Sequence, residues 1–134
     1  MEHDKCYQTR GLLLQSKKRF IVTVDRRLEE MPYAQAGIRD LRFEDGPYSV
    51  LFSYDVGAAW IDGNDALTVT QYYSMASIVR RHVIAFIHQI CAERCLDVPS
   101  LKDIGKIAGR DKVIFLRSGL ICDRYNGFDG GDNE

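Results

Sequence analysis

The chain has 134 residues, of which 46% are hydrophobic and 28% charged, and its formal net charge is −1. This composition is that of an ordinary folded protein, and it excludes both a disordered chain and a surface coated uniformly with positive charge for nucleic acid. Because the length suits one hydrophobic core, we expect a single domain over residues 1–125 followed by a flexible acidic tail over residues 126–134.

No membrane partner and no secretion are expected. The longest apolar-rich run, Met75–Leu96, is interrupted by charged residues, whereas a spanning helix needs about 20 mostly apolar residues. The N-terminal stretch MEHDKCYQTR lacks the basic and then apolar order of a signal peptide. We therefore expect a cytoplasmic protein, and free thiols rather than disulfides, at Cys6, Cys91, Cys95 and Cys122.

The first third of the chain predicts one strand and two short helical turns. In KKRFIVTVD, Lys17–Asp25, apolar and polar residues alternate with the period of a half-buried strand. The Met31-Pro32 step disfavours a continuous helix after it. We therefore predict separate helical turns at Arg26–Glu30 and Tyr33–Arg39.

The central block predicts three antiparallel strands. GPYSVLFSYDVG, Gly46–Gly57, reads as one strand with a single buried side that carries Tyr48, Val50 and Phe52. AAWIDGNDALTVTQYY then reads as two strands that turn at Asp62–Asp65, because Gly and Asn tolerate the positive φ angles of tight hairpins.

The C-terminal half predicts two helices and a hairpin. A long helix begins near Ser74 and ends near Leu96, and a shorter one runs from Pro99 or Ser100 to Gly109. VIFLRSGLICDRY then reads as a hairpin that turns at Ser118-Gly119. The predicted fold class is α+β, an antiparallel sheet formed by a meander and a C-terminal hairpin, packed against one long helix and one shorter helix.

A helical wheel divides the long helix into two stripes. The stripe that should face the sheet contains Ala76, Val79, Val83, Phe86, Ile87 and Ile90. The opposite stripe contains Ser77, Arg81, His88 and Cys95, and Arg80 and His82 border the apolar stripe. The two histidines thus lie on different faces, which weakens any joint catalytic role.

The start of this helix is a candidate anion site. A helix N-terminus offers unpaired N–H groups and a partial positive charge, and arginine grips anions through its planar fork. The candidate ligand-binding residues are Ser74, Ser77, Arg80, Arg81 and His82. In the alternative interpretation Ser74 or Ser77 is only an N-cap, the arginines are solvated and His82 is packed at the boundary.

The sequence offers two other kinds of candidate site. Exposed aromatics of the sheet block could bind a partner or stack nucleic-acid bases, and the candidate partner-binding residues are Tyr54, Tyr72 and Tyr73. His88, Cys91 and Cys95 have ligand-like spacing, but a structural zinc site normally needs four ligands. We therefore expect neither a metal nor a cofactor.

The stretches FSYDVGAAWID and YYSMASIVRRHVIAF carry a family likeness. They resemble an uncharacterised small domain common in bacteriophage and archaeal-virus genomes, in which a strand of the type F-x-Y-x-T-x-V-A-x-I precedes a helix start of the type Y-S-x-T-T-S-K/R-H-I/V. The matching residues are Phe52, Tyr54, Ala59, Ile61, Tyr73, Ser74, Arg81, His82 and Val83. Ala76 and Ser77 stand where the family has paired threonines, and two extra residues precede Arg81. The family has no assigned chemistry, so the resemblance implies a viral or mobile-element origin rather than an activity.

We therefore expect a non-enzymatic, phage-encoded binding protein that acts on a host or phage macromolecule, for instance to inhibit a host defence system, in the cytoplasm of the host cell. One alternative is a binder of a phosphorylated small molecule or nucleic acid through Ser74–His82. Another is a small hydrolase that uses His82 or His88. A further expectation is a homodimer, in which an edge strand at Val113–Leu116 or Lys18–Val24 pairs with a second copy.

Overall fold

A computed structural model describes residues 21–107 and 109–123. They form one antiparallel sheet of seven strands, in which each strand pairs with the next along the chain. The strands are β1 (Ile21–Arg27), β2 (Ala36–Phe43), β3 (Gly46–Ser53), β4 (Val56–Asp62), β5 (Ala66–Val69), β6 (Gly109–Phe115) and β7 (Leu120–Asp123). A 3₁₀ turn (Tyr72–Ser74) and the helices α1 (Ser77–Arg94) and α2 (Leu101–Lys106) lie between β5 and β6.

The predicted α+β class is confirmed, with a meander, a C-terminal hairpin, one long helix and one short helix. The predicted acidic tail over residues 126–134 lies outside the described residues, as do Lys17–Phe20 of the first predicted strand. In the described part of the chain, no helix is long and apolar enough to cross a membrane.

The prediction of helical turns before residue 40 is wrong. Arg26 and Arg27 belong to β1, and most of Tyr33–Arg39 belongs to β2 or leads into it. Ile38 of β2 pairs with Arg26 on one side and with Leu51 on the other. Strand pairing on both sides of β2 thus overrides a local sequence pattern typical of helix. Turn-like hydrogen bonds are found in the connection between β1 and β2, from Met31 N to Leu28 O and from Ala34 N to Met31 O.

The prediction of one strand through Gly46–Gly57 is also wrong, because the chain reverses at Tyr54-Asp55. Both residues have positive φ, 52° and 66°, as a two-residue turn between antiparallel strands requires. Ser53 of β3 therefore pairs directly with Val56 of β4. The sequence lacks the Gly or Asn that normally marks such a turn.

One face of the sheet, called here the helix face, packs against α1 and α2. Leu51, Ile61, Leu67 and Ile114 of the sheet share a buried cluster with the α1 residues Val83, Phe86, Ile87 and Ile90. The predicted apolar stripe of α1 therefore does face the sheet, except that Ala76 is exposed and precedes the helix. Ile104 and Ile107, in and just after α2, complete the same cluster.

The opposite face of the sheet, called here the second face, is buried too. Register aligns Val50, Trp60 and Thr68 across β3, β4 and β5, and their exposed fractions are 0%, 1% and 1%. The last six residues of β3 are all buried, so the expectation of a single buried side is wrong. On the helix face the small polar residues Ser49 and Ser53 are covered and hydrogen-bonded, which removes the alternation that a half-exposed strand shows.

The C-terminal end of α1 is tied to two turns by Asp65. The carboxylate of Asp65 accepts hydrogen bonds from Arg94 Nη1 (2.7 Å) and Arg117 Nη2 (3.0 Å). Arg94 also donates to the carbonyl of Asp62 (2.7 Å). Because Asp65 is buried and its acceptors are satisfied, this end of α1 is held firmly against the sheet.

Strand order also bears on self-association. The predicted edge segment Val113–Leu116 falls largely in β6, which lies between β5 and β7, so the expectation of a free edge there is wrong. In the described sheet the outermost strands are β1 and β7.

Candidate functional site

The start of α1 has no capping serine. Ser77 is the first residue of the helix and Ala76 occupies the N-cap position, with no side-chain hydrogen bond to the first turn. Ser74 is the last residue of the 3₁₀ turn, so the prediction that Ser74 or Ser77 caps the helix is wrong. The N–H groups of the first turn therefore have no side-chain acceptor at the cap, and the partial positive charge of the helix start is not compensated there.

Arg80 braces the segment that leads into α1. Its Nη2 donates to the carbonyls of Tyr73 (3.5 Å) and Met75 (3.3 Å), and its guanidinium carbon lies 5.5 Å from the ring centre of Tyr72. Its Nε–H is buried and has no hydrogen-bond acceptor among the described residues. Among the described residues the side chain of Arg80 therefore donates hydrogen bonds through Nη2 alone, both to backbone carbonyls that lead into α1.

His82 joins α1 to the sheet from a buried position. Its Nδ1 lies 2.8 Å from Ser53 Oγ in β3, and its ring centre lies 5.9 Å from that of Tyr54. Burial lowers the pKa of His82 below its ordinary value, and the positive charge of Arg81 lowers it further. The His82 side chain is only 1% exposed, so it anchors the helix and cannot contact an anion at the surface. This agrees with the interpretation of His82 as a packed residue.

His88 lies on the other side of the helix. Its Nδ1 is 3.2 Å from Glu30 Oε2, and both side chains are well exposed. The two histidines therefore contact different parts of the molecule, as the wheel predicts. Ser53 and His82 resemble a nucleophile and its base, but they are 3% and 1% exposed, and no carboxylate of the described residues is hydrogen-bonded to the ring.

The Tyr54-Asp55 turn, whose tyrosine ring lies against His82 of α1, projects apolar surface into solvent. Tyr54 is 51% exposed and the neighbouring Val56 is 60% exposed. The N–H of Tyr54 donates to the carbonyl of Gln35 (2.9 Å), which ties the turn to the connection between β1 and β2. Tyr54 is a bulky residue held at positive φ, which is uncommon outside functional or well-supported turns.

A shallow groove runs along the outer side of α1. Its volume is about 410 Å³, and it is lined by Glu30, Met31, Tyr72, Arg80, Arg81, Ile84, Ala85 and Leu101. We call it the helix groove. Its walls come from the connection after β1, from the 3₁₀ turn and from the first residue of α2, so residues far apart in sequence meet on one helix face.

The electrostatics of the helix groove are governed by Arg81. Its side chain is exposed, and no carboxylate in the described ranges forms an ion pair with it. Glu30, the acidic residue of the lining, interacts with His88. Arg80 and Arg81 therefore give the described lining a net positive charge beside an apolar floor.

Three of the predicted site residues meet in the helix groove, namely Tyr72, Arg80 and Arg81. Ser74 and Ser77 are exposed beyond its lining. Tyr73 is directed elsewhere, against α2, where its hydroxyl occupies the space that a side chain at Gly105 would need.

Sequence reasoning missed the apolar half of the groove. Met31, Ile84 and Leu101 come from three separate elements. The one sequence signal was Ser100, which caps α2 by accepting a hydrogen bond from Asp103 N (3.1 Å) and so places Leu101 in the first turn of that helix.

No metal site accompanies these features. Within the part of the chain that the structure describes, no three His, Cys, Asp or Glu side chains are arranged to hold an ion. The described cysteines Cys91, Cys95 and Cys122 are free thiols. Comparison with models of protein families, with curated proteins and with solved structures finds no match.

Proposed function

We propose that the protein is a small non-enzymatic binding protein that holds an acidic, partly apolar segment of a partner protein in the helix groove. The observation that carries this proposal is the exposed guanidinium of Arg81 beside the apolar floor formed by Ile84, Ala85 and Leu101. Burial of apolar side chains supplies affinity, and a charged group at the rim supplies orientation and rate of encounter.

The dimensions of the groove favour a short segment as the bound part of the partner. A site of about 410 Å³ is of the size that holds a small ligand or a few side chains. An amphipathic helix presents its apolar anchors three and four residues apart, and acidic residues beside those anchors would pair with Arg81. Arginine suits such a site because its fork binds a carboxylate with two hydrogen bonds.

Two features support binding rather than catalysis. The Ser53–His82 pair is closed to solvent, and the exposed His88 is paired with Glu30 and has no nucleophile hydrogen-bonded to it in the described ranges. A hydrolase that uses either histidine would need a substrate to reach one of these positions with a partner group in place.

Under this proposal the partner is a host or viral protein, as the resemblance of the Phe52–Val83 block to the phage and archaeal-virus domain implies. Binding to a component of host defence would suit a small protein without chemistry of its own. The protein would then act in the cytoplasm of the host cell.

A second candidate function is binding of a phosphorylated small molecule or nucleic acid at the start of α1. The observation that favours it is the uncapped first turn after Ala76, close in sequence to Arg81. Phosphate contacts release counterions, so affinity would fall steeply with salt. A peptide held mainly by the apolar floor of the groove would lose much less affinity over the same increase in salt concentration.

Panning a randomised peptide display library on the folded protein tests the leading proposal. The selected peptides should combine apolar anchors with aspartate or glutamate. Arg81→Glu should weaken a selected peptide by about tenfold or more, because an attraction is replaced by a repulsion at the same place. Leu101→Asp should weaken it similarly by placing a charge on the apolar floor.

Arg42→Glu is the matched control, because Arg42 is an exposed arginine of β2 that does not line the groove. It should leave peptide affinity within about twofold, as expected for a distant surface charge. Selection of basic peptides, or equal losses for Arg81→Glu and Arg42→Glu, would contradict the proposal. Binding of inorganic phosphate or a nucleotide that Arg81→Glu abolishes would favour the second candidate.

A further inference from the structure

A second cavity lies on the second face of the sheet, on the side opposite α1. Its volume is about 310 Å³, which is the size of a small-molecule site. Its lining includes Trp60, Asp62, Ala66, Val113, Phe115 and Asp123. We call it the second-face cavity, and it shares no lining residue with the helix groove.

The interior of the second-face cavity is apolar and aromatic. Trp60, Val113 and Ala66 are 1%, 7% and 9% exposed, so these side chains form its deep part. Ala66 pairs with Phe115 across β5 and β6, and Phe115 is only partly buried. A small residue opposite a half-exposed ring leaves room for the apolar body of a ligand.

The charged part of the lining is acidic. Asp62 Oδ1 accepts hydrogen bonds from the N–H groups of Asn64 (2.8 Å) and Ala66 (3.0 Å), which fixes the carboxylate at the β4–β5 turn. Asp123, at the end of β7, pairs with Lys112 at 2.6 Å. Both charged residues of the described lining are therefore aspartates, one held by backbone and the other by a single exposed lysine.

From this arrangement we infer that the second-face cavity binds a small organic cation with an apolar body, such as an aryl-substituted ammonium. The apolar body would occupy the space beside Trp60 and Phe115, and the ammonium would lie at the mouth near Asp62 and Asp123. Aromatic side chains favour such cations over anions because their faces carry partial negative charge. The helix groove has the opposite charge, so the two sites select different ligands.

Fluorescence of Trp60 reports on this site directly, because it is the sole tryptophan of the chain. Titration with benzyltrimethylammonium should change the emission saturably. Benzenesulfonate, which has a similar ring and a negative charge, should bind at least about tenfold more weakly. Equal binding of both probes, tighter binding of the sulfonate, or a linear change without saturation for the ammonium probe would overturn the inference.

Two further variants change the exposed side chains of Lys112 and Asp123, and substitutions at such positions seldom affect folding. Asp123→Asn should weaken benzyltrimethylammonium by about threefold, and Lys112→Ala should strengthen it by a similar factor because it frees the carboxylate of Asp123. Unchanged affinity in both variants would remove the proposed role of the acidic mouth. Arg81→Glu should leave the ammonium probe unaffected, so failure of this inference and failure of the helix-groove proposal are separate results.

Discussion

The two sides of α1 use histidine for different purposes. On the side that faces the sheet, His82 is buried against Ser53 and Gln89 bonds backbone groups of Arg27 and Glu29. On the outer side, His88 is well exposed and Arg81 borders a groove. Position on the helix, rather than residue type, therefore separates the polar groups that hold the fold from those available to a ligand.

The largest expected effect lies on the buried side. Phe86→Ala removes a fully buried ring from the cluster between α1 and the sheet and should lower the free energy of unfolding by about 3–5 kcal/mol. Arg81→Ala, on the outer side of the same helix, should change it by less than about 0.5 kcal/mol. Urea unfolding of both variants measures the difference, and similar losses would break the comparison.

The next effect concerns the polar contact beneath α1. Ser53→Ala leaves His82 Nδ1 buried without its hydrogen-bond partner and should cost about 1–3 kcal/mol of unfolding free energy. Ser74→Ala is the matched control, since Ser74 is exposed in the 3₁₀ turn. If the two serine variants unfold at the same denaturant concentration, the Ser53–His82 contact does not stabilise the fold.

Acid should lower the free energy of unfolding through protonation of His82, on the side of α1 that faces the sheet. Burial and Arg81 lower the pKa of His82 in the folded state, so below the ordinary pKa of 6.5 the unfolded chain binds more protons than the folded one. The stabilisation is therefore complete above that pH and is lost as the pH falls toward the lowered pKa. Denaturant titrations between about pH 8 and about pH 5 should show this decline as a fall in the midpoint denaturant concentration.

Two variants sharpen the acid experiment. His82→Gln should remove the part of the decline that comes from this imidazole. Arg81→Gln should leave a shallower decline, because desolvation, the larger cause of the lowered pKa, remains. A His82→Gln protein that follows the wild-type pH curve would show that other groups cause the loss.

The smallest effect lies at the end of α1. Cys95 has φ 58° and ψ 47°, the left-handed conformation that costs a residue with a Cβ. Cys95→Gly should raise the free energy of unfolding by about 0.5–1 kcal/mol, whereas Ala92→Gly inside the helix should lower it by about as much. Thermal unfolding of the pair tests this, and destabilisation by both glycines would contradict the left-handed cap.

Much of the fold was predictable wherever local chemistry and long-range pairing agree. Gly63-Asn64 marked the β4–β5 turn, Ser100 marked the start of α2, and Ser118-Gly119 marked the β6–β7 turn. The apolar stripe of α1 likewise identified the face that packs on the sheet. These features depend on residues within one element or one turn.

The wrong predictions concern segments whose structure depends on residues distant in the sequence. Tyr54-Asp55 turns without Gly or Asn because the pairing of β3 with β4 holds it. Tyr33–Arg39 leads into and joins a strand because β1 and β3 pair on either side of it. The candidate site was half predictable for the same reason: Arg80 and Arg81 come from one helix, but Met31 and Leu101 reach the groove only through the tertiary fold.

The most direct test of the central claim is a map of where a selected acidic peptide binds. Backbone amide chemical shifts of isotope-labelled protein should change on titration at Tyr72, Arg81, Ile84 and Leu101, and should stay constant at Trp60 and Phe115. The shift changes should need about tenfold more peptide in Arg81→Glu and the wild-type amount in Arg42→Glu. Changes centred on Trp60 and Phe115, with the helix groove unaffected, would contradict the account.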